Sequence, residues 1–215
     1  MKNALIIAAA MTACTGCATY YAKPLDSHQG APSSIEQREA EGLYVALQDL
    51  TPPRISLQYF DRDLVEYGYA PALLLLELDK QSKKVFDVRR EDIQLCLRDG
   101  RRLTSAEPLE VAEQVSFSHL RSAMGFFFIL PGFFLASSVN EANVMLEMDY
   151  QEKAQSSVCI NPNRSSFRTV IFFKIPLEIK DSFTMVDAFV ELKVHRRDRE
   201  KTAGETLELP VHFTR

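Results

Sequence analysis

The hydrophobic pattern of this 215-residue chain changes period along its length. From Leu43 the period is two. Leu43, Val45 and Leu47 alternate with Tyr44, Ala46 and Gln48, and Thr51-Pro52-Pro53 closes the run. Such alternation marks a half-buried strand. Ile55, Leu57 and Tyr59 continue it as a second strand. Pro71 to Leu78 is apolar on both faces, as a central strand would be. Lys80 to Lys84 is a charged turn. Asp92 to Arg98 alternates again, and Asp99-Gly100 supplies hairpin turn chemistry. Arg168 to Ile175, Asp187 to His195 and Glu205 to Phe213 repeat the theme, the last two flanking a charged tip at 196–204. About seven strands with turn signals between them predict a mainly β chain folded as two antiparallel sheets. Pro210 puts the last strand at an edge or a bulge.

The middle of the chain follows a helical period instead. Pro108 to Ser122 predicts a helix with Val111, Val115, His119 and Leu120 on one stripe, Pro108 standing near its first turn. Ser138 has the spacing of an N-cap to Glu141, opening a helix from Val139 to Gln155 with Ala142, Leu146 and Tyr150 on its face. Between them Ala123 to Ser138 carries no charge, and Pro131-Gly132 divides it. The fold expected is therefore an immunoglobulin-like β-sandwich over 34–215 with a helical-hairpin insertion at about 107–155. Nearer the start, Ser34 followed by Gln37 suggests a short polar helix that Gly42 stops.

Composition narrows the function classes. Hydrophobic residues make up 46% and charged residues 25%, a globular balance. The net charge of −4 does not suggest a nucleic-acid surface. There are 14 Phe and no Trp, and five of those Phe fall in the hairpin tip, at 126, 127, 128, 133 and 134. Phe126, Phe127, Phe128, Ile129, Leu130, Phe133, Phe134 and Leu135 form a stretch too short to span a bilayer, which takes about 20 apolar residues. They are either core under the sheets or an exposed surface that docks on a membrane or on a protein partner. An exposed patch of that size is otherwise an aggregation hazard.

Candidate chemistry is sparse. His28, His119, His195 and His212 stand in no metal-ligand spacing, so no metal is expected. No nucleophile elbow and no phosphate loop is present, and no cofactor is implied. Asp61, Asp63 and Glu66 are the one carboxylate cluster near aromatics, Tyr59, Phe60 and Tyr67. Paired carboxylates share a proton or bind a cation, and a hydrolase site there would need a histidine beside them. Solvated loop carboxylates are the plainer reading. The run Lys193 to Lys201 is basic, diluted by Asp198 and Glu200, and reads as a solvated hairpin tip. Cys96 and Cys159 both point away from apolar neighbours. If paired, they would close a loop of about 63 residues and add roughly 4 kcal/mol; unpaired thiols are the alternative.

The first residues set the compartment. Lys2 is followed by an apolar run, 4–13, of about ten residues, the length of a signal-peptide core. Thr12-Ala13-Cys14-Thr15-Gly16-Cys17 resembles the lipobox of bacterial lipoproteins, with Gly16 before the cysteine that is acylated. Cys14 stands where that pattern has Leu and is itself the alternative site. The resemblance implies a signal peptide at 1–16 and acyl chains on Cys17 that hold the chain in a membrane. At about 0.8 kcal/mol per buried methylene, two or three chains hold it essentially permanently. Ala18 follows Cys17 where inner-membrane retention in enteric-type bacteria uses Asp, so the outer membrane with a periplasmic domain is expected. Residues 18–33, with two Pro and a Gly, read as a tether.

Two further segments, Val85 to Leu103 and Phe167 to Pro176, resemble an immunoglobulin-like domain recurring in bacterial surface and periplasmic lipoproteins. There, one strand runs into D-I-x-L-x-L-x-D-G-R and a later one carries V-x-F-F-x-I-P. Asp149 to Ala154 also matches that pattern. The resemblance implies a fold and an envelope setting and carries no catalytic residues. The function expected is a non-catalytic, lipid-anchored binding or structural module. An envelope hydrolase using Asp61, Asp63 and Glu66, or an inner-membrane accessory with a re-entrant apolar hairpin, are the alternatives.

Overall fold

The computed structural model describes residues 19–25, 38–117, 129–186, 188–197 and 205–212. The chain divides into two compact units, residues 21–115 with 147–215 and residues 1–20 with 116–146. All nine described strands lie in the first unit, and every pairing between them is antiparallel.

The elements in chain order are β1 (Arg38–Ala40), β2 (Leu43–Asp49), α1 (Pro53–Phe60), β3 (Tyr69–Leu78), β4 (Val85–Cys96), β5 (Arg102–Thr104), α2 (Pro108–Val115), α3 (Ile129–Lys153), β6 (Ser157–Ile160), β7 (Ser166–Lys174), β8 (Phe189–Arg197) and β9 (Glu205–His212). Short 3-10 turns stand at Leu64–Tyr67 and Leu177–Ser182. One sheet runs β1-β2-β3-β7. The other runs β5-β4-β8-β9, with β6 also pairing β4.

Inward residues of both sheets share one buried cluster. β3 contributes Ala70, Ala72, Leu74, Leu76 and Leu78, β7 contributes Phe167, Ile171 and Phe173, and β8 contributes Val190, Leu192 and Val194. The opposite face of the first sheet is covered too. Phe172 of β7 meets Phe60 of α1 and Tyr150 of α3, with ring centroids 5.6 and 5.5 Å away. This is why β3 is apolar on both sides: one face meets the second sheet, and helices cover the other. Burying a Phe in such a site stabilises by roughly 3–5 kcal/mol relative to Ala.

Three local expectations are overturned. Arg38–Ala40 is a strand and not part of a polar helix. Glu41 and Gly42 both have positive φ, 56° and 84°, so they form a type I′ hairpin turn between β1 and β2. The glycine that reads as a helix stop is the second turn residue. The stretch Ile55 to Tyr59 is helical, not extended. Pro53 sits at the start of α1, where its missing N–H has no partner to lose, and the buried side chains are Ser56, Tyr59 and Phe60 at helical spacing. Leu57 points outward, 51% exposed. Finally, α3 begins at Ile129, ten residues before the expected Val139. Pro131 and Gly132 fall in its first turn, where proline is tolerated. The expected stripe holds: Ala142, Leu146 and Tyr150 are buried.

Other expectations stand. Gly100 takes φ 86° in the β4–β5 turn, and Pro210 lies in β9 at the sheet edge. The helix from Pro108 is shorter than expected: it ends at Val115 and not at Ser122, with 118–122 outside the described residues, and Asn143 bonds both backbone groups of Phe117, accepting from its N–H at 2.7 Å and donating to its carbonyl at 3.3 Å.

Candidate functional site

The most elaborated local structure is the C-terminal end of α1. A helix leaves its last four carbonyls without intrahelical partners. Here all four are met, each differently. Leu57 O accepts from the N–H of Asp61, which turns the chain with φ 55°. Gln58 O accepts from the backbone N–H of Lys23 at 3.0 Å. Tyr59 O accepts from Lys153 Nζ at 2.5 Å, and Phe60 O from the Tyr150 hydroxyl at 3.3 Å.

Lys153 is 4% exposed, an unusual position for an ammonium. Burial pulls its pKa below the usual lysine range, and Asp149 Oδ2 at 2.6 Å opposes that shift. The ammonium also lies 5.6 Å from the centre of the Phe60 ring. A cation at a helix C-terminus complements the helix dipole. Burial pushes the Tyr150 hydroxyl far above the ordinary phenol range, so it stays a donor. The site is built for holding: its charges are paired with one another and aimed at backbone.

The carboxylates singled out in the sequence do not converge. Asp61 ends α1 and pairs with Arg62 at 3.3 Å, and Arg62 Nε also reaches Val115 O. Asp63 caps the next 3-10 turn by accepting from Val65 N at 3.2 Å. Asp63 and Glu66 line a cleft of about 440 Å³ with Asp49, Asp181 and Lys180. Asp49 accepts from Thr51 N and Oγ1 at 2.8 and 2.6 Å, and burial raises its pKa above the usual carboxylate range. No histidine is among the lining residues of that cleft.

The two described histidines lie in the other sheet. His195 contacts Asp92 Oδ2 through Nε2 at 2.9 Å and Thr206 Oγ1 through Nδ1 at 3.2 Å. His212 packs its ring on Phe189 at 5.2 Å. Neither the cleft at Asp63 and Glu66 nor a second one lined by Arg89, Arg90 and Glu91 includes His195 or Thr206. Sequence reasoning missed the contact of His195 with Asp92 because strand register places Asp87, not Asp92, opposite His195. A bulge in β4 between Val88 and Ile93 brings Asp92 round.

Cys96 and Cys159 are both free thiols. The pairing considered for them fails on geometry. β6 sets Cys159 opposite Asp87, and Cys96 lies nine residues further along β4. The same two positions of β4 pair with His195 and Phe189, six residues apart on β8, so at about 3.3 Å per residue they are roughly 20 Å apart, where a disulfide needs Cα atoms within about 7 Å. Burial raises the pKa of the Cys96 thiol.

Cys14, Cys17, His28, His119, Phe126, Phe127 and Phe128 lie outside the described residues. Ile129, Leu130, Phe133, Phe134 and Leu135 fall in the first turns of α3. Further along that helix Val144 and Met145 are 54% and 60% exposed. Among the described residues no helix is long and apolar enough to cross a membrane, and no cluster of metal-ligating side chains occurs.

Comparison with known protein families, with curated proteins and with solved structures finds no match to this chain.

Proposed function

We propose that this chain is a lipid-anchored, non-catalytic module of a bacterial envelope, acylated at Cys17 and facing the periplasm from the outer membrane. The observation that carries the reading is the order of residues at the start: one basic residue, an uncharged apolar run at 4–13, then Gly16-Cys17-Ala18. That order matches what lipoprotein export and acylation require, and a run this short matches a signal core better than a membrane span.

An immunoglobulin-like sandwich is the finer reading of the fold. The orders β2-β3-β7 and β4-β8-β9 correspond to strands A-B-E and C-F-G of that architecture, with the helical insertion between C and E. Such a scaffold works by presenting a surface. The apolar segment Phe126 to Leu135 is the surface to which we assign docking, on the bilayer or on an envelope protein; the exposed Val144 and Met145 of α3, the helix that begins at Ile129, support it.

Two experiments test this. Cys17→Ser, compared with Cys14→Ser, should release the protein from membranes while the Cys14 variant stays bound. Phe128→Asp with Phe133→Asp should weaken association while the protein remains folded and soluble. A double variant that unfolds identifies the segment as core and removes the docking assignment.

A further inference from the structure

We infer that the exposed face of α1 is the side of the sheet unit that meets the bilayer, with Arg54 and Leu57 of α1 and Tyr21 at the lipid surface. The inference rests on the proposed acylation of Cys17. Its own support is the hydrogen bond from Lys23 N to Gln58 O, 3.0 Å long.

Chain length makes that bond decisive. Lys23 is the sixth residue after Cys17. Fully extended, that stretch reaches about 22 Å. The bond therefore holds the end of α1 within about 22 Å of Cys17. The bond is also not incidental to folding, because Gln58 O is one of the carbonyls α1 cannot satisfy itself.

The clamped face suits a headgroup layer. Leu57 is 51% exposed and Tyr21 75% exposed, while Arg54 and Lys23 are exposed beside them in sequence and helix position. Tyrosine favours the membrane–water interface, and each Lys or Arg near an anionic surface gains about 1 kcal/mol. Asp61, the acidic residue at the end of the same helix, is held by Arg62.

The chain contains no Trp, so a single introduced indole reports alone. Full-length acylated protein carrying Leu57→Trp or Lys83→Trp is reconstituted into vesicles of phosphatidylethanolamine and phosphatidylglycerol with brominated acyl chains. Lys83 is exposed beyond the far end of β3, about 30 Å from the end next to α1. The expected result is co-flotation of the protein with vesicles and quenching of the Leu57→Trp indole several-fold stronger than that of Lys83→Trp. Co-flotation with equal quenching in the clamped protein, or with the Lys83 probe quenched more, overturns the inference and leaves the anchor standing. Failure to co-float removes the anchor, and the inference falls with it.

Discussion

Lys153 Nζ donates to the carbonyl oxygen of Tyr59, 94 residues away in sequence and 2.5 Å away in space. The last turn of α3 thereby closes the end of α1. Replacing Lys153 with Met removes both charge and donor and leaves Tyr59 O buried without its partner. A loss of roughly 2 kcal/mol is expected, read as a fall in the urea midpoint. Because burial lowers the Lys153 pKa, the unfolded chain holds this proton more tightly than the folded one. The group's contribution should therefore rise with pH between its lowered folded pKa and the ordinary 10.5, and that rise should vanish in the variant.

Tyr150 titrates with the opposite sign. Its folded pKa is raised by burial, so its contribution is complete below the ordinary value of 10.0 and is lost as pH climbs above it. Tyr150→Phe should cost about 1 kcal/mol at neutral pH, through the unmet Phe60 carbonyl, yet lose less stability than the parent on going to alkaline pH. Equilibrium unfolding at neutral and alkaline pH checks both halves.

Asp49 offers a stabilising substitution. Burial raises its pKa, so the ionised form is disfavoured in the fold, and its contribution is greatest at low pH and declines as pH rises through the folded value. Asn keeps an oxygen to accept from Thr51 and carries no charge. Asp49→Asn should raise the melting temperature at neutral pH and flatten the acid side of the stability profile.

Glu41 joins the β1–β2 turn to two cations, Lys84 and Arg196, at 2.9 and 2.8 Å. The Lys84 and Arg196 hydrogen bonds hold its pKa below the usual carboxylate range. The site is largely exposed, so Glu41→Gln should cost under about 1 kcal/mol, and less at high salt. Its contribution is present above pH 4.5 and should fade as pH drops through the lowered value. Urea midpoints at low and high ionic strength measure it.

What the sequence discloses follows from locality. β8 could be read because its burial alternates, β3 because a run apolar on both faces marks a central strand, and Asp99-Gly100 because hairpin turn chemistry is local. α1 could not, since Ile55, Leu57 and Tyr59 alternate by coincidence while the buried side chains are Ser56, Tyr59 and Phe60. Gly42 misled because a positive φ serves a hairpin turn as well as a helix end. The α1 terminus itself was beyond reach. Its partners, Lys23, Tyr150 and Lys153, are distant in the chain, and nothing local marks a lysine that will be buried. Asp92 meets His195 only through a bulge, which no strand periodicity records.

The central claim concerns the start of the mature chain, and intact mass spectrometry of the protein extracted from bacterial membranes tests it most directly. The account predicts a polypeptide beginning at Cys17 and carrying the mass of its acyl chains. A mature chain that begins at Met1, or that bears no lipid, contradicts it.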